Sequence, residues 1–230
     1  MIAAHFIQIP EGWFRMGGNA FHWEQPPHQV WVDAFEMART TVTRREYAEF
    51  LAETRNPEPA GWHEEVFSAP DQPVVGVNWF DAVSYCEWLS LARNEACRLP
   101  TEAEWEKACR GGLDSREFSW GGDPPASIEY FQGEWKAPRP AGQWRPNGYG
   151  LMNIGDNVHE WCLDWYAGDY YQVSPERNPS GPETGTRRVS RGGSWRHQQK
   201  ASRAAHRSSL PPEYRYTDYG FRIVSAQAAI

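Results

Sequence analysis

The 230-residue sequence has no apolar run near the ~18 residues a membrane span requires, so no transmembrane segment is expected. It is also poor in cysteine. Cys86, Cys97, Cys109 and Cys162 form no CxxC pair and no metal-finger spacing, which argues against a zinc finger or a disulfide-stapled scaffold. Three of the four fall in apolar-patterned, helix-like segments and read as small buried hydrophobes. The N-terminal stretch Met1 to Pro10 has neither a basic n-region nor a long h-region, so no secretory signal is expected and a cytoplasmic location is. Positive charge is in deficit: 23 Lys and Arg face 30 Asp and Glu, a net charge of −7. That balance excludes a general polyanion binder, and no nucleic-acid partner is expected. No repeat period or interdomain linker is visible.

What the chain does have is aromatic mass, with 13 Trp and 14% aromatic residues alongside 20 Gly and 18 Pro. Disordered chains are poor in aromatics, so this mixture points to a compact, loop-rich fold pinned by indole rings. Charge is unevenly placed. Between Thr186 and Arg222 nine Lys and Arg stand against two acids, Glu213 and Asp218, whereas the rest holds fourteen bases and twenty-eight acids. These arginines either pair with the acidic body or line an anion-binding cleft.

Residues 6 to 16 read as a hairpin around Pro10-Glu11-Gly12, and the alternating run Gln29 to Met37 reads as one strand. Thr43 with Glu46 forms a capping box that opens a helix to about Glu53, with Tyr47, Phe50 and Leu51 on one face. After a Pro-rich loop from Asn56 to Pro73, Val74 to Val77 reads as a short strand. Asn78 caps a second helix, in which Ala82, Tyr85, Cys86 and Leu89 share a face. Thr101 with Glu104 opens a third, stopped by Gly111-Gly112. The remainder reads as short strands and turns, which makes a single α+β domain over 1–230 the simplest account.

Several phrases are more specific than periodicity. They run in order from Phe14-Arg15-Met16-Gly17-Gly18 through Pro73-Val74-Val75-Gly76-Val77-Asn78-Trp79 and Arg98-Leu99-Pro100-Thr101-Glu102-Ala103-Glu104-Trp105. They continue with Asn147-Gly148-Tyr149-Gly150, Asn157-Val158-His159-Glu160-Trp161, Arg191-Gly192-Gly193-Ser194-Trp195 and Gly220-Phe221-Arg222. Over residues 6–225 the sequence resembles the formylglycine-generating enzyme, or sulfatase-modifying-factor, family. Related domains occur in ergothioneine sulfoxide synthases and in a pyoverdine-tailoring enzyme. The resemblance implies an irregular, C-type-lectin-related α+β fold with little regular structure and a tryptophan-rich interior, to which Trp79, Trp105, Trp161 and Trp195 would belong.

In formylglycine-generating enzymes two cysteines after the Arg-Gly-Gly-Ser motif bind copper(I), because soft thiolates select that ion. His197 and Ser202 stand about where those thiols would be, and no cysteine follows Cys162. Copper and iron are therefore not expected, and formylglycine generation is not the favoured activity. A His197/His206 metal pair is the weaker of two readings of those histidines; hydrogen-bonded loop histidines is the other. The resemblance also implies a calcium site, with side-chain oxygens from Asn153 and Glu160 and backbone carbonyls from Asp156 and Val158. Asp156 replaces the usual glycine, so either its carboxylate joins the site or the turn differs. The family's second calcium loop, after the segment matching Glu129 to Trp135, looks deleted and is not carried over. Candidate ligand-binding residues are Ser194, Trp195, Arg196, His197, Arg203 and Arg207, a basic-aromatic cleft for an unidentified protein, peptide or small anionic ligand. The favoured function is a calcium-stabilised binding or regulatory module. The alternative is an oxygen-dependent oxidoreductase that tailors a non-sulfatase substrate.

Overall fold

The computed structural model describes residues 5–113, 116–121, 136–143, 145–197 and 199–225. The stretch matching Glu129 to Trp135 lies outside them. Three α-helices occur among the described residues, α1 (Arg44–Thr54), α2 (Trp79–Arg93) and α3 (Glu102–Arg110). Each begins where the sequence places a cap. The side chains of Thr43, Asn78 and Thr101 accept from the backbone N–H three residues on, and Glu46, Asp81 and Glu104 reach back to complete three capping boxes. α3 stops at Gly111, which takes the left-handed conformation. None of these helices is long and apolar enough to cross a membrane.

The strands differ from the expected hairpin. β1 (Phe6–Ile9) and β2 (Gly12–Met16) do not pair with each other. The run expected as one strand is broken at Asp33-Ala34 into β3 (His28–Val32) and β4 (Phe35–Ala38), giving each N-terminal strand its own antiparallel partner: β4 for β1 and β3 for β2. β4 then pairs with β10 (Val224–Ser225), which in turn pairs with β5 (Cys97–Arg98), so the chain's end closes on its beginning. A second four-stranded sheet has the order β8 (Arg207–Leu210), β7 (Arg188–Arg191), β6 (His159–Trp165), β9 (Tyr219–Phe221). Within it β6 and β9 run parallel, and the other pairs are antiparallel.

Val74 to Val77 is buried but joins no sheet strand. Its backbone is used by loops: Val74 N–H donates to Val42 at 2.9 Å, and Ala60 N–H donates to Gly76 at 2.9 Å. Gly76 has φ +73°, and a Cβ there would lie 2.0 Å from the Ala60 carbonyl oxygen. Gly76→Ala is thus expected to combine left-handed strain with a backbone clash and to destabilise by more than ~2 kcal/mol, read from urea unfolding. An unchanged midpoint would mean that the 60–76 loop packs differently.

The core is built around tryptophan. Trp105 and Trp161 are fully buried in two separate apolar clusters, and Trp79 packs with the second. Each satisfies its indole N–H: Trp105 on Glu160 at 2.8 Å, Trp161 on the Val77 carbonyl at 3.1 Å, Trp79 on the Cys162 carbonyl at 2.9 Å. An indole can bury a large ring and still anchor irregular backbone, which suits a fold with short strands.

Candidate functional site

The edge of the β6–β7–β9 sheet gathers the chemistry. His159 opens β6 opposite Tyr219 of β9, and its N–H donates to the Asp218 carbonyl at 2.9 Å. On the other side Arg191 ends β7 opposite Glu160, and the chain turns through Gly192 and Gly193. The turn is pinned to the neighbouring loop by Gly193 N–H on Gly155 and Trp195 N–H on Asn157, both at 2.9 Å. His197 N–H then donates to the Ser194 carbonyl at 2.9 Å, folding the His197 side chain back toward the sheet.

The result is a contiguous polar chain. Ser194 Oγ donates to Asp218 Oδ2 at 2.9 Å and lies 2.9 Å from His197 Nδ1, which in turn lies 2.9 Å from His159 Nε2. His159 is only 3% exposed, whereas the side chain of His197 is 46% exposed. Burial drives the His159 pKa down to about 4, against the opposing pull of the Asp218 charge, so its imidazole is neutral at physiological pH. Beside this chain Trp195 packs on Phe67, Val75 and Val158 and is capped by the Arg196 guanidinium 4.6 Å above its ring. Its indole N–H is buried without a hydrogen-bond partner among the described residues, unlike those of Trp79, Trp105 and Trp161.

Of the expected cleft residues, Ser194, Trp195, Arg196 and His197 come together here. Arg196 is exposed and donates to Thr217 Oγ1 at 2.6 Å. Arg203 and Arg207 do not extend this basic face, because buried carboxylates already hold their guanidinium groups. Arg203 forks onto Glu24 at 2.5 and 3.0 Å, though it also edges a cavity of about 250 Å³ with Arg110 and Arg116. Arg207 forks onto Glu102 at 2.7 and 2.9 Å. Arg191 joins Glu102 and Glu106 at 2.8 and 2.6 Å, and Arg222 meets Glu160. Internal pairing thus accounts for most of the basic segment. Ser202 is buried beneath Gly193, where an added Cβ would come within 2.4 Å of its hydroxyl.

His206 is not the partner of His197. Its ring lies against Phe21, with Nδ1 3.8 Å from Glu24. Burial, reinforced by Arg203, pushes its pKa down to about 3. His159 and Asp218 were not among the expected site residues. A histidine inside the phrase Val158-His159-Glu160-Trp161, and one of only two acids in a basic segment, were the available signals.

The segment expected to hold calcium is a tight, buried turn. Asn153 and Asn157 both adopt positive φ, at 54° and 71°. Asn153 Oδ1 accepts from Gly142 N–H at 2.9 Å, and its amide lies 3.4 Å from Asp156 Oδ1. Glu160, the other expected side-chain donor, is bound within the protein. Its oxygens accept from Arg222 Nε and Nη2, each at 3.1 Å, and from Trp105 Nε1, so both are engaged in a fully buried pair. Asp156, within this segment, makes no ion pair among the described residues. Burial raises its pKa to about 7, with the Asn153 amide opposing and the Glu160 charge adding to the rise. A buried hard oxygen that forms no ion pair among the described residues fits calcium chemistry.

A family model for the sulfatase-modifying factor enzyme 1-like domain matches residues 2–227. The chain is 31% identical to the formylglycine-generating enzyme of Streptomyces coelicolor, over 94% of this chain and 87% of that one. Among solved structures, PvdO from Pseudomonas aeruginosa superposes with a TM-score of 0.83 at 25% identity, covering 96% of this chain and 93% of PvdO. Treponema denticola variable protein 1 gives 0.82 at 27%, covering 96% and 94%. Mixed helix and short-strand architecture, motif order and end-to-end matching agree: the chain belongs to the sulfatase-modifying-factor, formylglycine-generating-enzyme-like family.

Proposed function

We propose that this chain is a calcium-stabilised binding module of that family, presenting the Ser194–His197 turn to a protein, peptide or small anionic ligand and carrying out no thiol-dependent copper oxidation. One observation carries the reading: all four cysteines are buried, and none lies in the 191–222 segment where His197 and Ser202 stand. Copper(I) selects thiolates, and burial raises the pKa of Cys86, Cys109 and Cys162 well out of the reactive range. The Trp195 N–H, unpartnered among the described residues, and the exposed Arg196 and His197 supply donors for a ligand instead. Asn153, Asp156 and Val158 are the proposed calcium donors. The ion would supply the counter-charge that the buried Asp156 lacks. Free buried thiols fit a reducing, cytoplasmic setting.

A second reading, an oxygen-dependent tailoring oxidoreductase, draws on the likeness to PvdO over 96% of the chain. Oxygen uptake separates the binding reading from thiol-dependent copper oxidation. The purified chain, supplied with copper and a cysteine-containing peptide, is expected to consume no oxygen beyond the copper–peptide background and to leave the peptide mass unchanged. Copper-dependent uptake accompanied by a mass change at the peptide cysteine would overturn the binding reading.

A further inference from the structure

The His159–His197 contact brings two imidazole nitrogens face to face, with a carboxylate close by. A ring nitrogen carries in its plane either one hydrogen or one lone pair. Yet His197 Nδ1 sits 2.9 Å from His159 Nε2 and equally 2.9 Å from Ser194 Oγ. As a hydrogen-bonding group it must share one hydrogen, or one lone pair, between the two. Ser194, moreover, already spends its hydrogen on Asp218. Two imidazole nitrogens thus converge on one point, with Asp218 Oδ2 4.0 Å from His197 Nδ1 and all three potential ligand atoms within 4.8 Å of one another. Around a tetrahedral ion with bonds of about 2.0–2.1 Å, ligand atoms stand roughly 3.3 Å apart. The observed separations bracket that value.

We propose that His159 Nε2, His197 Nδ1 and the Asp218 carboxylate form a three-ligand site for a divalent transition-metal ion of the zinc or iron(II) class. Nitrogen-rich donors of this kind suit those ions, whereas calcium prefers an all-oxygen set, so the site is chemically distinct from the Asp156 turn. Two of the ligands are held by the sheet: His159 opens β6, Asp218 precedes β9, and a backbone hydrogen bond joins them. Both are buried. The third stands on the closed Ser194–His197 turn and is half-exposed, which leaves a coordination position facing solvent, as in ligand-binding rather than purely structural metal sites. Two neutral imidazoles and one carboxylate around a divalent ion leave a positive centre next to Arg196. This is chemistry that receives an anionic group, and it rests on reading the same turn as the ligand-facing surface.

Cobalt(II), the metal alone, is the probe, because its visible absorption reports nitrogen and oxygen coordination directly. Full-length protein stripped with EDTA and exchanged into chelator-free buffer is expected to bind one cobalt per chain and develop visible bands that zinc displaces and excess calcium does not. His197→Ala, at a half-exposed turn position, is expected to melt like the wild type and lose the bands. Asp218→Asn is expected to weaken binding at least tenfold, and His63→Ala, at a remote exposed histidine, to leave it unchanged. Absence of bands in the wild type, or bands that survive His197→Ala, would overturn the metal site. Failure here would leave the oxygen-uptake result intact. Conversely, copper-dependent peptide oxidation would sink the binding reading without touching a cobalt spectrum that depends on His197.

Discussion

Glu102→Gln is expected to cost 3–5 kcal/mol, because it leaves two buried arginines short of their shared counter-charge. Glu102 opens α3 and accepts from Arg191 at 2.8 Å and from both ends of the Arg207 fork at 2.7 and 2.9 Å. Burial alone would raise its pKa, but Arg207 and then Arg191 overcome that and hold it below the usual carboxylate range. The neighbouring Glu106 is itself bound to Arg110, Arg191 and the Gly17 N–H, so it cannot turn to compensate. Domains are stable by only about 5–15 kcal/mol, so this single isosteric change would consume a large part of the margin. At 2–4 °C per kcal/mol for a chain of this size, the melting temperature should fall by about 10–15 °C. Asp71→Asn provides the contrast. It breaks the Arg45–Asp71 pair, shorter still at 2.6 Å but 61% and 64% exposed, and should move stability by less than about 1 kcal/mol. Equal effects from the two substitutions would show that burial does not set the value of these pairs. The sign with pH also follows. A carboxylate whose folded pKa lies below its unfolded value contributes stability above the unfolded pKa and loses it as pH falls through the folded one. The wild type should therefore lose stability on acidification more steeply than Glu102→Gln.

What was legible in the sequence depended on how far apart the interacting residues lie. The three capping boxes close within three residues, and the residue types at Thr43/Glu46, Asn78/Asp81 and Thr101/Glu104 place all three helix starts. Pairing partners are another matter. The 6–16 hairpin looked local, but its turn joins strands of two different sheets, because the 28–38 run breaks at Asp33 and offers each strand a better partner. The partners of Arg203 and Arg207, Glu24 and Glu102, lie 179 and 105 residues away, so a cleft and a core ion pair read alike in the sequence. His159 escaped notice for a related reason. It is buried at the start of β6 beside Val158 and Tyr219, and its meaning appears only when the 192–197 turn folds His197 back upon it. The segment expected to hold calcium folds as a tight, buried turn, and the partner of its Glu160, Arg222, arrives from 62 residues downstream, which no local pattern shows.

Asp156 carries the other large expected effect, and its sign reverses with calcium. With no cation bound, a folded pKa near 7 against an unfolded value of 3.8 means that the native state binds more protons between those limits. Stability is then fully present below about pH 4, falls as pH rises, and levels off above about pH 7. At about 1.4 kcal/mol per pH unit the ionised carboxylate would cost on the order of 4 kcal/mol at pH 8. Asp156→Asn keeps the shape and removes the charge. In EGTA at pH 8 it should therefore melt about 10 °C above the wild type, while at pH 4 the two should coincide. Calcium should reverse the ranking at pH 8. An ion bound only by the native wild type raises its stability with concentration, whereas the amide, a neutral donor, holds calcium weakly and responds little. Differential scanning calorimetry of both proteins at the two pH values, with EGTA or with millimolar calcium, gives the full square. If the wild type melts at the same temperature in EGTA and calcium at pH 8, Asp156 is not a calcium donor. If in addition its melting temperature is flat from pH 4 to 8, the carboxylate is not isolated from compensating charge at all, and the 153–160 turn owes its stability to the Arg222–Glu160 pair and the Asn153 and Asn157 hydrogen bonds alone.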